Sequence, residues 1–149
     1  MPVKSKSNRA AIEAELDRIT KQKVEETADE MLREVQMMYR APKSGRVYKV
    51  GTTATKSDRK AGRRFRSHRA SAPGEAPAID TAALRKGTTR TEARKAGPMR
   101  WVVALGVTLQ SGRSNVAVWL EMGTRRIQPR PAWRPALAIL RARRANLGR

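Results

Sequence analysis

Apolar residues recur at helical spacing across residues 10–39: Ile12, Leu16 and Ile19, then Val24, Ala28, Met31, Leu32, Val35 and Met38. No proline or glycine interrupts them, so the pattern predicts one long amphipathic helix filling residues 1–40. Ser7 or Asn8 suits the N-cap, and Glu13, Glu15 and Asp17 come early enough to favour the positive end of the helix. Arg40-Ala41-Pro42 should end it, because proline blocks continuation and restricts the residue before it. The apolar phase slips between Ile19 and Val24, which predicts a bend.

After a Ser44-Gly45 turn, Arg46-Val47-Tyr48-Lys49-Val50 alternates polar and apolar in the manner of a half-buried strand. Its expected partner is residues 63–71, closing a hairpin around the very polar loop 51–62, so that 51–70 forms a mobile basic loop and hairpin. Two prolines and a glycine make residues 71–77 an irregular connector. Residues 80–86 predict a short helix capped by Asp80 or Thr81. Residues 99–109, with Trp101, Val102, Val103, Leu105, Val107 and Leu109, read as a buried strand. A turn follows, and residues 116–122 fit either a return strand or a short helix. Residues 129–149 form a Pro/Arg-rich segment and a closing helix, with Pro135 in its first turn and Arg141, Arg143 and Arg144 near its C-terminal end. No internal repeat is present. The expected fold class is α+β: a long N-terminal helix, a small antiparallel sheet with an extended basic loop, and a C-terminal helix.

Length then sets the domain count: 149 residues predict a single domain, 1–149. Hydrophobic residues at 39% and aromatics at 4% give a lean core, which leaves Trp101, Trp119 and Trp133 as expected packing anchors and suggests burial borrowed from neighbouring subunits. The absence of cysteine excludes disulfides, thiolate metal sites and a cysteine nucleophile. No apolar run approaches the ~20 residues that span a bilayer, and no signal-type stretch opens the chain, so a cytoplasmic protein is expected. The formal charge is +20, unevenly placed. Residues 1–40 carry eight Lys/Arg against eight Asp/Glu, residues 41–98 carry 15 against 4, and residues 99–149 carry 10 against 1. A neutral helix is thus joined to two basic segments suited to a polyanion, an acidic protein ring, or both.

Catalytic chemistry finds little to work with. His68, in a run of arginines, reads as a surface or hydrogen-bonding residue rather than a general base, which needs an oriented partner. Eight acids lie in the first helix, where i,i+4 pairing accounts for them. Asp58, Glu75, Asp80, Glu92 and Glu121 are dispersed without metal-ligand spacing. No catalytic residue, cofactor or metal site is expected, and the chain is read as a non-enzyme. The basic stretch has two readings. Lys56, Arg59, Lys60, Arg63, Arg64, Arg66 and Arg69 form either a solvated charge run or an arm contacting DNA or an acidic partner through salt-sensitive, sequence-independent binding. Phe65 and His68 offer weak stacking, and no sequence-specific DNA- or RNA-binding signature accompanies them.

The most distinctive stretch is 116–137. An apolar run ends in Glu121, a Gly123-Thr124 turn, Arg125 and Arg126, and prolines 129, 131 and 135 around Trp133. Glu121 reads either as an ion pair to an arginine of the same subunit or as a bridge between subunits. The prolines hold the backbone extended around Trp133, between Arg130 and Arg134. Trp133 either folds back on its own core or anchors a neighbour, Trp and Arg being enriched at interface hot spots.

This ending resembles the tail-completion, or neck, proteins of bacteriophages with long non-contractile tails, whose ending runs Glu-Phe-Gly-Thr and then Arg-Pro-Phe-x-Arg-Pro-Ala. Three further motifs match in the family's order. They are Ser44-Gly45-Arg46-Val47-Tyr48, the connector from His68 to Pro77, and Asp80-Thr81-Ala82-Ala83-Leu84, so the resemblance covers about residues 40–140. Ala82 stands where glycine is usual, Met122 and Trp133 where phenylalanine is common, and Trp119 is also a departure. The resemblance implies a virion protein, assembled in the host cytoplasm, that completes the tail end or neck for head-tail joining and DNA passage. It implies a homo-oligomeric ring, hexameric or dodecameric, between connector and tail-terminator or tail-tube proteins, with no membrane partner. Expected interface residues are Trp119, Glu121, Gly123, Thr124, Arg125, Arg130, Trp133 and Arg134. The first rival is a small basic nucleic-acid-binding protein without sequence specificity; a toxin or nuclease is the second.

Overall fold

A computed structural model of the chain describes residues 8–51, 65–78, 83–108 and 115–147. The element order is α1 (Arg9–Arg40), β1 (Val47–Gly51), β2 (Phe65–Arg69), α2 (Ala83–Gly87), β3 (Thr88–Arg90), β4 (Arg94–Gly97), β5 (Arg100–Val102), β6 (Leu105–Val107), α3 (Asn115–Met122) and α4 (Trp133–Leu147). This is a mixed α+β fold with the long first helix and closing helix that the apolar pattern predicts. No helix is long and apolar enough to cross a membrane among the described residues.

α1 runs unbroken through the phase slip. At 3.6 residues per turn, Ile12, Leu16 and Ile19 lie about 130° around the helix from Ala28, Met31, Val35 and Tyr39. The slip is therefore a change of face. The C-terminal half of α1 enters the core while the apolar residues of its N-terminal half stay exposed. Asn8 occupies the N-cap but its side chain makes no capping bond, and the first turn holds no acid. Glu13 instead pairs with Arg9 at 2.7 Å. At the other end Lys43 Nζ donates to Met38 O at 2.8 Å, satisfying a carbonyl that the ending helix leaves open. Burial pushes the Lys43 amine down, with the Glu75 carboxylate opposing.

The core is a helix pair: Met31, Val35 and Tyr39 of α1 against Ala132, Ala136 and Leu140, with Met38, Ala76, Leu84, Leu105 and Trp133 around them. The alanines let the two backbones approach closely. Arg143 pairs with the buried Glu34, and Arg144 lies 3.8 Å from Glu30, so α4 runs antiparallel to α1.

β1 and β2 pair antiparallel, with Tyr48 opposite His68, as the hairpin reading predicts. Residues 88–107 form a second, irregular hairpin: β3 pairs with β6, and β4 with β5. This corrects the single buried strand expected over 99–109. The described part is two short strands with a break, half-buried because only one side meets α1. The Thr91 hydroxyl takes the Ala104 amide at 3.0 Å, diverting it from the ladder at the break. Two contacts fasten this hairpin to α1. Arg90 pairs with Asp29 at 2.6 Å, and Asp17 accepts from Lys95 and, at 3.0 Å, from Trp101 Nε1. Lys21 and Lys95 lie 5.4 and 5.9 Å from the Trp101 ring centre, a cation–π pair that explains an aromatic on an open face. Residues 116–122, open between strand and helix in the sequence, fall within the helix α3.

Candidate functional site

Three of the four sequence motifs meet where α1 ends and α4 begins. Glu75, from the connector, accepts from the Ala72 amide at 2.8 Å, the Ser44 amide at 3.1 Å and the Ser44 hydroxyl at 2.5 Å. Those bonds, led by the Ser44 hydroxyl, pull its carboxyl down to about 2. Gly45 is required beside it: a Cβ there would sit 2.5 Å from the Ala70 carbonyl oxygen. Gly74, at φ 82°, donates to Pro129 O at 3.0 Å and so joins the connector to the proline segment.

The final motif builds the other side of this junction. Gly123 ends α3 at φ 78°, and a Cβ there would meet Pro129 at 2.9 Å. Thr124 closes the turn, its hydroxyl accepting from the Arg126 and Ile127 amides at 3.2 and 3.1 Å. The chain then returns so that Glu121 accepts from three successive backbone amides: Ala132 at 2.8 Å, Trp133 at 3.1 Å and Arg134 at 2.9 Å. Glu121 is thus the cap of α4, its negative charge on the positive end of the helix. Among the described residues it makes no ion pair, so of the two sequence readings the arginine pair within the same subunit is not found there. The cap arrives from 11 positions upstream, beyond any local capping pattern.

Trp133 begins α4 and packs, partly buried, against the core cluster that includes Tyr39. Burial pushes the Tyr39 phenol up; Thr88 and Trp133 oppose, and the Glu121 charge adds to the rise. The Arg130 amide donates to Leu120 O at 2.6 Å, while its Nε is buried without an acceptor among the described residues. Arg134 reaches Met122 Sδ, and Arg125 and Arg126 are exposed.

Among the described residues two apolar faces stand open. One is Val118, Trp119 and Met122 of α3 with Ile127 after it, 42–59% exposed; Trp119 is therefore not a core anchor in the single chain. Arginines 125, 126 and 134 accompany this face, and Glu121, the acid in that region, is turned inward to its amides. The other is the Ile12, Leu16 and Ile19 stripe, 41–58% exposed. Along its side of α1 follow Lys23, Glu26, Glu30 and Met37, which line a groove with Leu140, Arg143 and Arg144.

Of the basic stretch, Lys56, Arg59, Lys60, Arg63 and Arg64 lie outside the described residues, as do Asp80, Thr81 and Ala82. Arg66 falls in β2, and Arg69 is exposed at its end, donating to Gly45 O at 3.4 Å. Exposed Arg46 lies 5.6 Å from the Tyr48 ring centre. Among the described residues no group of three or more His, Asp or Glu side chains is placed to hold a metal ion. No protein-family model, no curated protein and no solved structure matches the chain.

Proposed function

We propose that this protein is a structural subunit of a phage head-tail junction, assembling as a homo-oligomeric ring that completes the neck or tail end and leaves a path for DNA. The supporting observation is the junction itself. Ser44, Gly45, Gly74, Glu75, Glu121, Gly123, Thr124 and Pro129, from three motifs separated in sequence, depend on one another for hydrogen bonds and space. Motifs that interlock in this way specify a fold as a set, which supports reading them together as one family's signature. The open α3 face and α1 stripe add unburied apolar surface of the kind that oligomers cover.

A second reading, sequence-independent nucleic-acid binding, draws on the β1–β2 hairpin, where Arg46, Lys49 and Arg69 are exposed. Salt separates the two. Phosphate binding through many cations weakens ~1000-fold or more between 50 and 200 mM salt. A ring held by apolar surface keeps its mass. Light scattering on the purified protein and anisotropy of labelled duplex DNA, both across that range, make the comparison. A salt-stable oligomer supports the ring. A monomer at every concentration, with tight salt-sensitive DNA binding, supports the rival. RNA digestion beside a His68→Ala control tests the nuclease reading; no cleavage by the wild-type chain ends it.

A further inference from the structure

A cavity of about 360 Å³ opens between the end of α1 and strand β2. Arg40 and Lys43 line it from one side and Ser67, His68 and Arg69 from the other, and its lining holds no Asp or Glu. The cations there are short of acceptors. Arg69 donates to Gly45 O at 3.4 Å, and neither it nor Arg40 makes an ion pair among the described residues. Lys43 gives one N–H to Met38 O at 2.8 Å, which leaves two donors on its ammonium. Glu75, whose charge acts on Lys43, is held by the Ser44 and Ala72 amides and does not line the cavity. The open end of a helix would by itself repel an anion, and the Lys43 bond covers one of the carbonyls responsible.

The arrangement suits phosphate better than carboxylate. A carboxylate has two oxygens and is satisfied by a single guanidinium fork, whereas donors from two elements surround this cavity and the oxygens of a phosphate point in several directions. The surroundings suit a polyanion. Exposed Lys49 stands opposite Ser67, on the sheet face that Ser67 shares with Arg69, and residues 46–51 and 65–70 contain no acid. We propose that this cavity seats one phosphate group of a nucleic-acid backbone, held by Arg40, Lys43 and Arg69 with Ser67 as a further donor. The inference rests on contact with nucleic acid, shared by a ring that passes DNA and by the second reading, and adds where a phosphate sits.

His68 is the chain's single histidine, half-buried at the cavity wall, so its ring resonances report occupancy at fixed pH without any substitution. Inorganic phosphate and a short duplex should each shift them, and an oligoglutamate of equal charge should not. Anisotropy of the labelled duplex supplies the energetics. Arg40→Gln and Arg69→Gln change exposed residues, so circular dichroism should match wild type. Each should weaken duplex binding roughly tenfold and lower the slope of log affinity against log salt by about 1. Because both arginines hold the same phosphate, the double variant should also lower that slope by about 1, whereas independent contacts would add. Arg141→Gln, exposed on α4 and outside the cavity, removes the same charge and should stay within about twofold of wild type. Cavity variants that bind like Arg141→Gln, or slopes that add in the double variant, would overturn the seat and leave DNA contact standing. Shifts of His68 with inorganic phosphate alone would overturn the backbone as the source of the phosphate. Equal shifts with oligoglutamate would overturn phosphate as the occupant in favour of an acidic protein. No duplex binding by the wild-type chain would overturn the seat and the second reading together, leaving the ring to its scattering test.

Discussion

Replacing Glu121 with glutamine tests the junction at the point where its charge acts. The carboxylate accepts three amides at the start of α4, at 2.8, 3.1 and 2.9 Å. Glutamine keeps the shape and one acceptor oxygen, and turns an NH2 toward amides that can only donate. Losing the charge at a helix N-terminus costs roughly 0.5–1 kcal/mol, and leaving an amide without its acceptor costs about 1–2 kcal/mol. The sum, about 2 kcal/mol, lowers the melting temperature of a chain this size by about 4–8 °C. Glu121→Ala, which removes all three acceptors, should cost about 3 kcal/mol. The assay is urea unfolding of dilute protein followed by circular dichroism, with exposed Glu92→Gln as the control, expected within about 0.5 kcal/mol of wild type. The capping account fails if Glu121→Gln is as stable as that control.

Three further predictions follow from the same geometry. Gly45→Ala should cost about 3 kcal/mol or prevent folding, since its Cβ meets backbone at 2.5 Å, whereas Gly74→Ala, at φ 82° with open space around it, should cost about 1 kcal/mol; comparable costs at the two would refute the close-contact argument. Glu75 is held at about 2 against an ordinary value near 4.5, so its contribution is present above pH 4.5 and lost as pH falls toward 2; unfolding curves across that window should fall more steeply for wild type than for Glu75→Gln. Arg143 pairs with Glu34, whose side chain is 7% exposed, so Arg143→Leu should cost about 1–3 kcal/mol and Glu34→Gln should recover part of that loss in a double-mutant cycle; strict additivity would dismiss the pair.

What the sequence made legible follows physical range. α1 could be read because its apolar spacing is local and uninterrupted, and even its phase slip carried information, marking where the apolar face leaves the core. The β1–β2 hairpin was visible in the alternation around Val47 and in the glycines that bound it. Strands β3 and β4 were not, because Thr88–Arg90 and Arg94–Gly97 lack apolar alternation; they are held by Arg90 on Asp29 and Lys95 on Asp17, contacts 61 and 78 positions apart. The break near Ala104 depends on one threonine hydroxyl. Glu121 drew notice as the single acid after residue 98, but its role as a cap requires the Gly123 turn and Pro129 to fold the chain back. Trp119 and Trp133 look alike in sequence. Only the course of the chain leaves the first exposed and sets the second on Tyr39.

Electron microscopy of particles made without this gene, beside the same preparation with it restored, tests whether the chain is a ring subunit at the head-tail junction. Such a subunit should leave filled heads apart from tails, or tails with abnormal ends, that rejoin when the wild-type gene returns. Normal joined particles without the gene would contradict it and make the basic β1–β2 hairpin the lead toward nucleic-acid binding.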